Sequence, residues 1–199
     1  YFVTFIANIL NYIHLFFSSF SLLVYQTNGC TGDCEMSISV GINGFGRIGR
    51  STFSHIAESA RNDIHVTKIN ATGPIETNAH LLKYDSVHGR FSGEITVEND
   101  HLDIGNGPVK VFSSYDPNDL DWSGCDVVLE CTGKFNDGIK SKVHIQQGAK
   151  SVLISAPADN VDKTIVYGVN HRSLTNKDKI VSNGSCTTNC LAPLAKVLN

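Results

Sequence analysis

The sequence predicts an α/β protein built on a doubly wound, mostly parallel sheet with a small antiparallel insertion. Three observations carry this. Short β-prone apolar runs alternate with stretches of helical spacing. Two of those runs, Asp126–Glu130 (DVVLE) and Ser151–Ser155 (SVLIS), are nearly all apolar, as strands buried on both faces are. The first run ends in a glycine-rich junction that opens a helix. With 199 residues, of which 41% are hydrophobic and 18% charged, the chain can form one cored domain and part of a second.

Residues 1–35 contain no Lys or Arg, and all 16 basic residues lie beyond Met36. The uncharged stretch Tyr1–Tyr25 is about as long as a bilayer is thick. It lacks the basic start and small-residue cleavage site of a signal peptide, and Asn8, Asn11, His14 and its serines weaken a spanning helix. The chain starts with Tyr and its single methionine is Met36. The expectation is therefore an apolar leader outside the fold, translated in frame upstream of a start at Met36; a membrane segment and an ordered extension are the alternatives.

From Met36 onward the elements follow in order. Ser37–Asn43 is a strand, and Gly44–Ala60 a helix carrying Ile48, Phe53, Ile56 and Ala57 at helical spacing. Ile64–Ile69 is the second strand, and Asn78–Tyr84 a short helix. Glu94–Val97, Leu102–Ile104 and Val109–Phe112, separated by Asn-Asp and Gly-Asn-Gly-Pro turns, form the antiparallel insertion. Strand Asp126–Glu130, helix Gly138–Gln147 and strand Ser151–Ser155 complete another unit. Ile165–Tyr167 and Ile180–Ser182 are further strands. The last helix begins near Cys186, with Cys190, Leu191, Leu194, Ala195 and Leu198 on one packing face. The chain stops while that pattern is still running, which predicts a truncation.

Gly44, Phe45, Gly46, Arg47, Ile48 and Gly49 spell G-x-G-x-x-G between a strand and a helix, the context a dinucleotide site requires. Gly44 permits the tight turn, Gly46 the approach of backbone to pyrophosphate, and Gly49 the packing of helix on strand. The N–H groups of Arg47 and Ile48 face the phosphates. The fold class is thus a Rossmann-like NAD(P)-binding domain. The same pattern calls for Asp or Glu about 20 residues on, to hold the ribose 2′-hydroxyl. That position falls at Ile69-Asn70-Ala71-Thr72, which has no carboxylate. A 2′-phosphate is not repelled there, so the cofactor is NAD or NADP, with dual or NADP-leaning use; Asn70 serving the hydroxyl is the alternative.

Cys186 follows Asn183-Gly184-Ser185 at a helix start, a setting whose dipole and N–H groups favour an anionic sulfur. Neighbouring hydroxyls and amides suit an anionic group or oxyanion. Position alone leaves a buried structural cysteine equally open. Cys190, one turn on, reads as a small buried hydrophobe. Six cysteines are too few for a disulfide scaffold, and their spacings lack zinc partners, so no metal site is expected and the thiols read as reduced, in a cytoplasmic protein. A formal net charge of −3 argues against nucleic acid as the partner.

INGFGRIGR (Ile42–Arg50), HLLKYDSVHGRF (His80–Phe91), ECTGKF (Glu130–Phe135), SAPA (Ser155–Ala158) and SNGSCTTNCLAP (Ser182–Pro193) together resemble the phosphorylating, type I glyceraldehyde-3-phosphate dehydrogenases. The resemblance runs from Met36 to Asn199. It implies that Cys186 is the nucleophile, that Ser185 and Thr187 help bind substrate or its phosphate, and that Arg47 and Ile48 contact the pyrophosphate. It also implies that Thr132, Gly133 and Ser155 line the cofactor site. The implied reaction adds the thiolate to a phosphorylated aldehyde, passes hydride to the nicotinamide, and lets inorganic phosphate attack the thioester. Residues 36–185 then form the dinucleotide-binding domain. Residues 186–199 form the first helix of a truncated catalytic domain that would carry the general-base histidine, a phosphate-binding arginine and most of a homotetramer surface.

Three departures bear on that reading. Ala71 stands where NAD-dependent members carry Asp, Tyr115 where Arg is common, and Gly184 where Ala is usual, a change expected to loosen the turn. None of the eight histidines matches the base; His80, His88, His144 and His171 read as surface or structural. The fragment is therefore expected to be inactive alone. Erythrose-4-phosphate dehydrogenase and a non-catalytic dinucleotide-binding module are the competing readings.

Overall fold

The computed structural model describes residues 37–59 and 62–199. The expectations for residues 1–35 lie outside the described residues. In chain order the elements are β1 (Ile38–Asn43), α1 (Arg47–Glu58), β2 (Ile64–Asn70), α2 (Ile75–Lys83), β3 (Tyr84–Asp85), β4 (Gly89–Arg90), β5 (Thr96–Glu98), β6 (His101–Asp103) and β7 (Val109–Phe112). They continue as β8 (Val127–Glu130), α3 (Gly138–Gln146), β9 (Val152–Ile154), β10 (Lys163–Thr164), β11 (Ile180–Ser182) and α4 (Cys186–Leu198).

Among the described residues the main sheet has the order β10-β11-β9-β8-β1-β2-β7-β6-β5. From β10 to β7 every pairing is parallel, while β5, β6 and β7 pair antiparallel as the predicted insertion. The chain runs outward from β1 through β2 to β7 and then returns to β8 on the other side of β1. The carboxyl ends of β1 and β8 therefore flank a topological switch point, where open α/β sheets bind ligands.

Side chains alternate across the sheet as a pleated strand dictates. Ile38, Val40 and Ile42 of β1 join Val127, Leu129, Leu153 and the Phe53 and Ile56 side chains of α1 in the largest core. The opposite face of β1 presents Gly41, where a Cβ would stand 2.7 Å from the Trp122 ring. Trp122 packs there with Leu120, Cys125, Val128 and Ala149. Val152, Ile154 and Ile180 form a third cluster, with Ile145 of α3 against it. Each fully buried aliphatic side chain of this kind contributes about 1.5–3 kcal/mol.

Several expectations shift. The first helix starts at Arg47, three residues later than its glycine turn suggested. The strand expected at Ile165–Tyr167 is the shorter β10 just before it. Ile165 N–H still donates to Ser182 O, but Val166 N–H is captured by the Asn170 side chain at 2.8 Å, which turns the chain away. The β3–β4 hairpin was not foreseen; Asp85 builds its turn by accepting the Val87 and His88 N–H groups at 2.8 and 2.9 Å. Helix α4 has the predicted spacing but not the predicted packing. Leu191, Leu194 and Leu198 are exposed, Cys190 is half-buried, and the buried side chain of the helix is Asn189.

Candidate active site

The turn after β1 shows why glycine stands at its positions. Gly44 has φ +96°, and a Cβ there would meet the Thr132 backbone nitrogen at 2.7 Å. A Cβ on Gly49 would stand 2.3 Å from the Gly44 carbonyl oxygen, so α1 rests directly on the turn. Gly46 faces open space instead. It is the N-cap of α1, and no side chain caps that end, nor does its first turn hold an acid. By contrast, Asp137 caps α3 and Ser185 caps α4. An uncapped helix end of this kind offers its N–H groups and positive dipole end to an anion. Phe45 is buried against Phe53, its carbonyl accepting from Arg50 Nη1 at 2.9 Å. Arg47 is exposed, 3.6 Å from the Asp85 carboxylate. The His88 and Val87 N–H groups, together with Arg47, hold the Asp85 carboxyl below its usual range.

A cleft of about 370 Å³ opens at the switch point, lined by residues that follow the carboxyl ends of β1, β2, β7 and β8. Asn43, Gly44, Phe45, Gly46, Asn70, Thr72, Ser114, Tyr115, Thr132 and Lys134 are among them. No Asp or Glu is among the described lining residues, which include Arg50 and Lys134. Lys134 lies over the Tyr115 ring, 5.4 Å from its centroid.

The structure gathers some of the sequence-derived cofactor residues and sets others aside. Gly44, Phe45, Gly46 and Thr132 line the cleft; Ile48 and Gly49 sit in the first turn of α1 beside it. Ala71 is 1% exposed and off the lining, its N–H donating to Phe112 O at 2.9 Å. Its neighbours Asn70 and Thr72 reach the cleft in its place. Gly133 has φ +72° between the lining residues Thr132 and Lys134. Ser155 is buried two strands from β1, its N–H donating to Glu130 O at 3.0 Å. Asn70 gives one N–H to Asn43 Oδ1 (2.8 Å) and one to Ser114 O (3.0 Å), which leaves a single lone pair on Oδ1 beyond the bond from Ser114 N–H.

Cys186 is the first residue of α4 and is exposed. Ser185 Oγ accepts the Thr188 N–H at 2.9 Å and shares hydrogen bonds with the Thr187 and Thr188 hydroxyls. Asn189 pins the preceding loop by donating to Asn183 O (2.6 Å) and Ser185 O (3.0 Å). Gly184 sits at φ +66°, in the left-handed region. Glycine thus relieves strain there rather than simply loosening the turn. Cys186 is not on the cleft lining, yet it leaves the same carboxyl edge of the sheet. Its strand β11 is three neighbours from β1, about 14 Å at the usual strand spacing. Burial pushes Cys131 up to about 12 and raises Cys125 as well.

The residues fit a dinucleotide: an uncapped helix end, open space at Gly46 and a cleft across the switch point. Together they define a Rossmann-type nicotinamide-dinucleotide-binding domain. Residues 38–138 match the family described as glyceraldehyde 3-phosphate dehydrogenase, NAD binding domain. The chain belongs to the glyceraldehyde-3-phosphate dehydrogenase family. It is 57% identical over 164 residues to the glyceraldehyde-3-phosphate dehydrogenase of Cereibacter sphaeroides, covering 82% of this chain and 49% of that protein. It is 58% identical over 166 residues to that of Xanthobacter flavus, covering 82% and 50%. The chain spans about half the length of the curated relatives it matches.

Sequence reasoning missed the buried polar floor of the cleft. Glu130, 1% exposed at the end of β8, is joined to Asn43 and His144. The available signal was a carboxylate ending an otherwise apolar strand. Among the described residues no group of three His, Cys, Asp or Glu side chains could hold a metal ion. No helix there is long and apolar enough to cross a membrane.

Proposed function

We propose that residues 36–185 hold NAD or NADP and that Cys186 is the nucleophile in the oxidative phosphorylation of a phosphorylated aldehyde, glyceraldehyde 3-phosphate. The observation that carries this is an exposed thiol at the first position of a helix, on the sheet edge that also opens the glycine-turn cleft. The sulfur adds to the aldehyde carbon. The nicotinamide dinucleotide, when bound, supplies the hydride acceptor for the oxidation that leaves a thioester on Cys186. Inorganic phosphate then attacks the thioester carbon and frees the sulfur. Ser185 is occupied in capping α4, so it shapes the helix end, while the exposed Thr187 hydroxyl, hydrogen-bonded to Ser185 Oγ at 2.9 Å, keeps a further hydrogen-bonding position for the substrate phosphate.

Cofactor use extends to NADP in this reading, supported by a described lining without carboxylates and by Arg50 and Lys134 on it. We also infer that this chain alone does not turn over. His144 is buried under the cleft floor, His80 lies tilted against the Tyr84 ring, His88 lies at Asp85, and His171 stacks on Tyr167. Residues 186–199 begin the substrate-side domain, a division supported by the exposed Leu191, Leu194 and Leu198.

Two measurements test the proposal. Calorimetric titration with NADH and NADPH should show both binding; a strong preference for NADH defeats the extension to NADP. Timed iodoacetamide labelling with peptide mass spectrometry should modify Cys186 ahead of Cys125, Cys131 and Cys190. Slow labelling of Cys186, on the scale of the buried Cys125, refutes its role as nucleophile.

A further inference from the structure

The cleft floor is organised by one carboxylate. Glu130 Oε1 accepts the Thr132 N–H at 2.8 Å and also the Thr132 hydroxyl. Its Oε2 accepts Asn43 Nδ2 at 2.6 Å and His144 Nε2 at 3.0 Å. A carboxylate has about four acceptor positions, so the set is full. Asn43 passes the order on by accepting Asn70 Nδ2, and Asn70 in turn pairs with the Ser114 backbone. One buried group thereby ties the ends of β8, β1 and β2 to the loop after β7, and Asn43, Asn70, Ser114 and Thr132 all line the cleft.

The proton positions follow from chemistry. Trp122 Nε1, a donor only, lies 3.2 Å from His144 Nδ1, so that nitrogen carries the lone pair. His144 therefore bears its hydrogen on Nε2 and gives it to Glu130, as a neutral ring; both His144 and Trp122 are 0% exposed. At Thr132 the hydroxyl hydrogen is spent on Glu130, and one lone pair receives the Lys134 N–H at 3.1 Å. What remains on that oxygen is a lone pair.

We propose that Glu130 is a positioning residue of the dinucleotide cleft: it holds the Thr132 hydroxyl as a pure hydrogen-bond acceptor, so that the ligand atom Thr132 meets is a donor and not a phosphate oxygen. The donor is a ribose hydroxyl or an amine or amide N–H of the dinucleotide. This rests on the dinucleotide reading of the cleft. Gln at 130 cannot reproduce the arrangement, because its NH₂ would face donors that Glu130 accepts.

The experiment is calorimetric titration of NAD into the full chain and its Glu130→Gln, Thr132→Val, Thr132→Ser and Glu130→Gln/Thr132→Val variants. Each of Glu130→Gln and Thr132→Val should weaken binding about tenfold, the worth of one well-made hydrogen bond. The double variant should lose much less than the hundredfold of independent effects, and Thr132→Ser should recover most of the affinity. Analogues of NAD that each lack one donor locate the partner: the one missing it binds wild type and Thr132→Val alike. Long-range ¹⁵N spectra at neutral pH should show His144 as the Nε2–H tautomer.

A wild type that binds no dinucleotide overturns the cleft reading and this proposal with it. Binding by wild type with Glu130→Gln equal to it, multiplicative losses in the double variant, or an Nδ1–H form of His144 overturns the proposal alone. If Glu130→Gln fails to fold, the Thr132 pair, the analogues and the tautomer decide. In that case a Thr132→Val penalty that persists with every analogue is the refuting result.

Discussion

Replacing Gly46 with Asp separates the stability of helix α1 from its service to a ligand. Gly46 is the N-cap, with φ −76° and ψ −161°, an extended geometry open to any residue, and a Cβ there meets nothing within 4 Å. An Asp side chain can therefore accept the N–H groups that no protein side chain now caps. Asp is a better cap than Gly by a few tenths of a kcal/mol. Its charge adds about 0.3–1 kcal/mol at the positive end of the dipole. Together these amount to roughly 0.5–1.4 kcal/mol, or a rise in Tm of about 1–5 °C for a domain of this size. In the proposed binding mode the same carboxylate takes the place of the phosphate and repels its charge. Losing two charge-assisted hydrogen bonds costs about 3 kcal/mol or more, over a hundredfold in affinity. Scanning calorimetry and isothermal titration with NAD read both quantities. Gly49→Ala is the contrasting control. Its Cβ would lie 2.3 Å from the Gly44 carbonyl oxygen, so stability falls by about 1–3 kcal/mol and binding falls with it. If Gly46→Asp binds NAD within about threefold of wild type, the pyrophosphate does not sit on this helix end. If it melts lower, the capping argument is wrong.

Other outcomes follow from single features of the fold. Gly184→Ala has room, its Cβ standing 3.7 Å from the nearest atoms, but it must hold φ +66° and should cost about 1–2 kcal/mol in a thermal melt. Thr72→Asp, which places a carboxylate on the cleft lining, should weaken NADPH binding roughly tenfold relative to NADH by like-charge repulsion. Ala71→Asp should instead destabilise the protein, because position 71 is buried. Cys131 is protonated in the fold up to about 12, while an unfolded thiol near 9.0 has already lost its proton. The unfolded state then binds fewer protons, so this group's contribution is complete below about pH 9 and is lost as pH rises toward 12. Denaturant melts across that range should show Cys131→Ala with a shallower alkaline decline than wild type.

The residue order carries the class of fold and the glycine-rich turn. Both depend on local signals: apolar runs of strand length, helical spacing, and glycines whose necessity is set by neighbours close in the chain. The 44–49 turn and the placement of Cys186 at a helix start were legible for that reason. Side-chain partners across strands follow only from how the strands assemble. Glu130 and Asn43 are 87 residues apart, and Asn70 and Ser114 are 44 apart. Which of Asn70, Ala71 and Thr72 faces the cleft depends on where β2 ends against β1 and β7; Asn70 and Thr72 line it, and Ala71 is buried. The leucines of α4 show the same limit from the other side. Their spacing specifies a face, but burial depends on what is brought against it, and among the described residues they stay exposed.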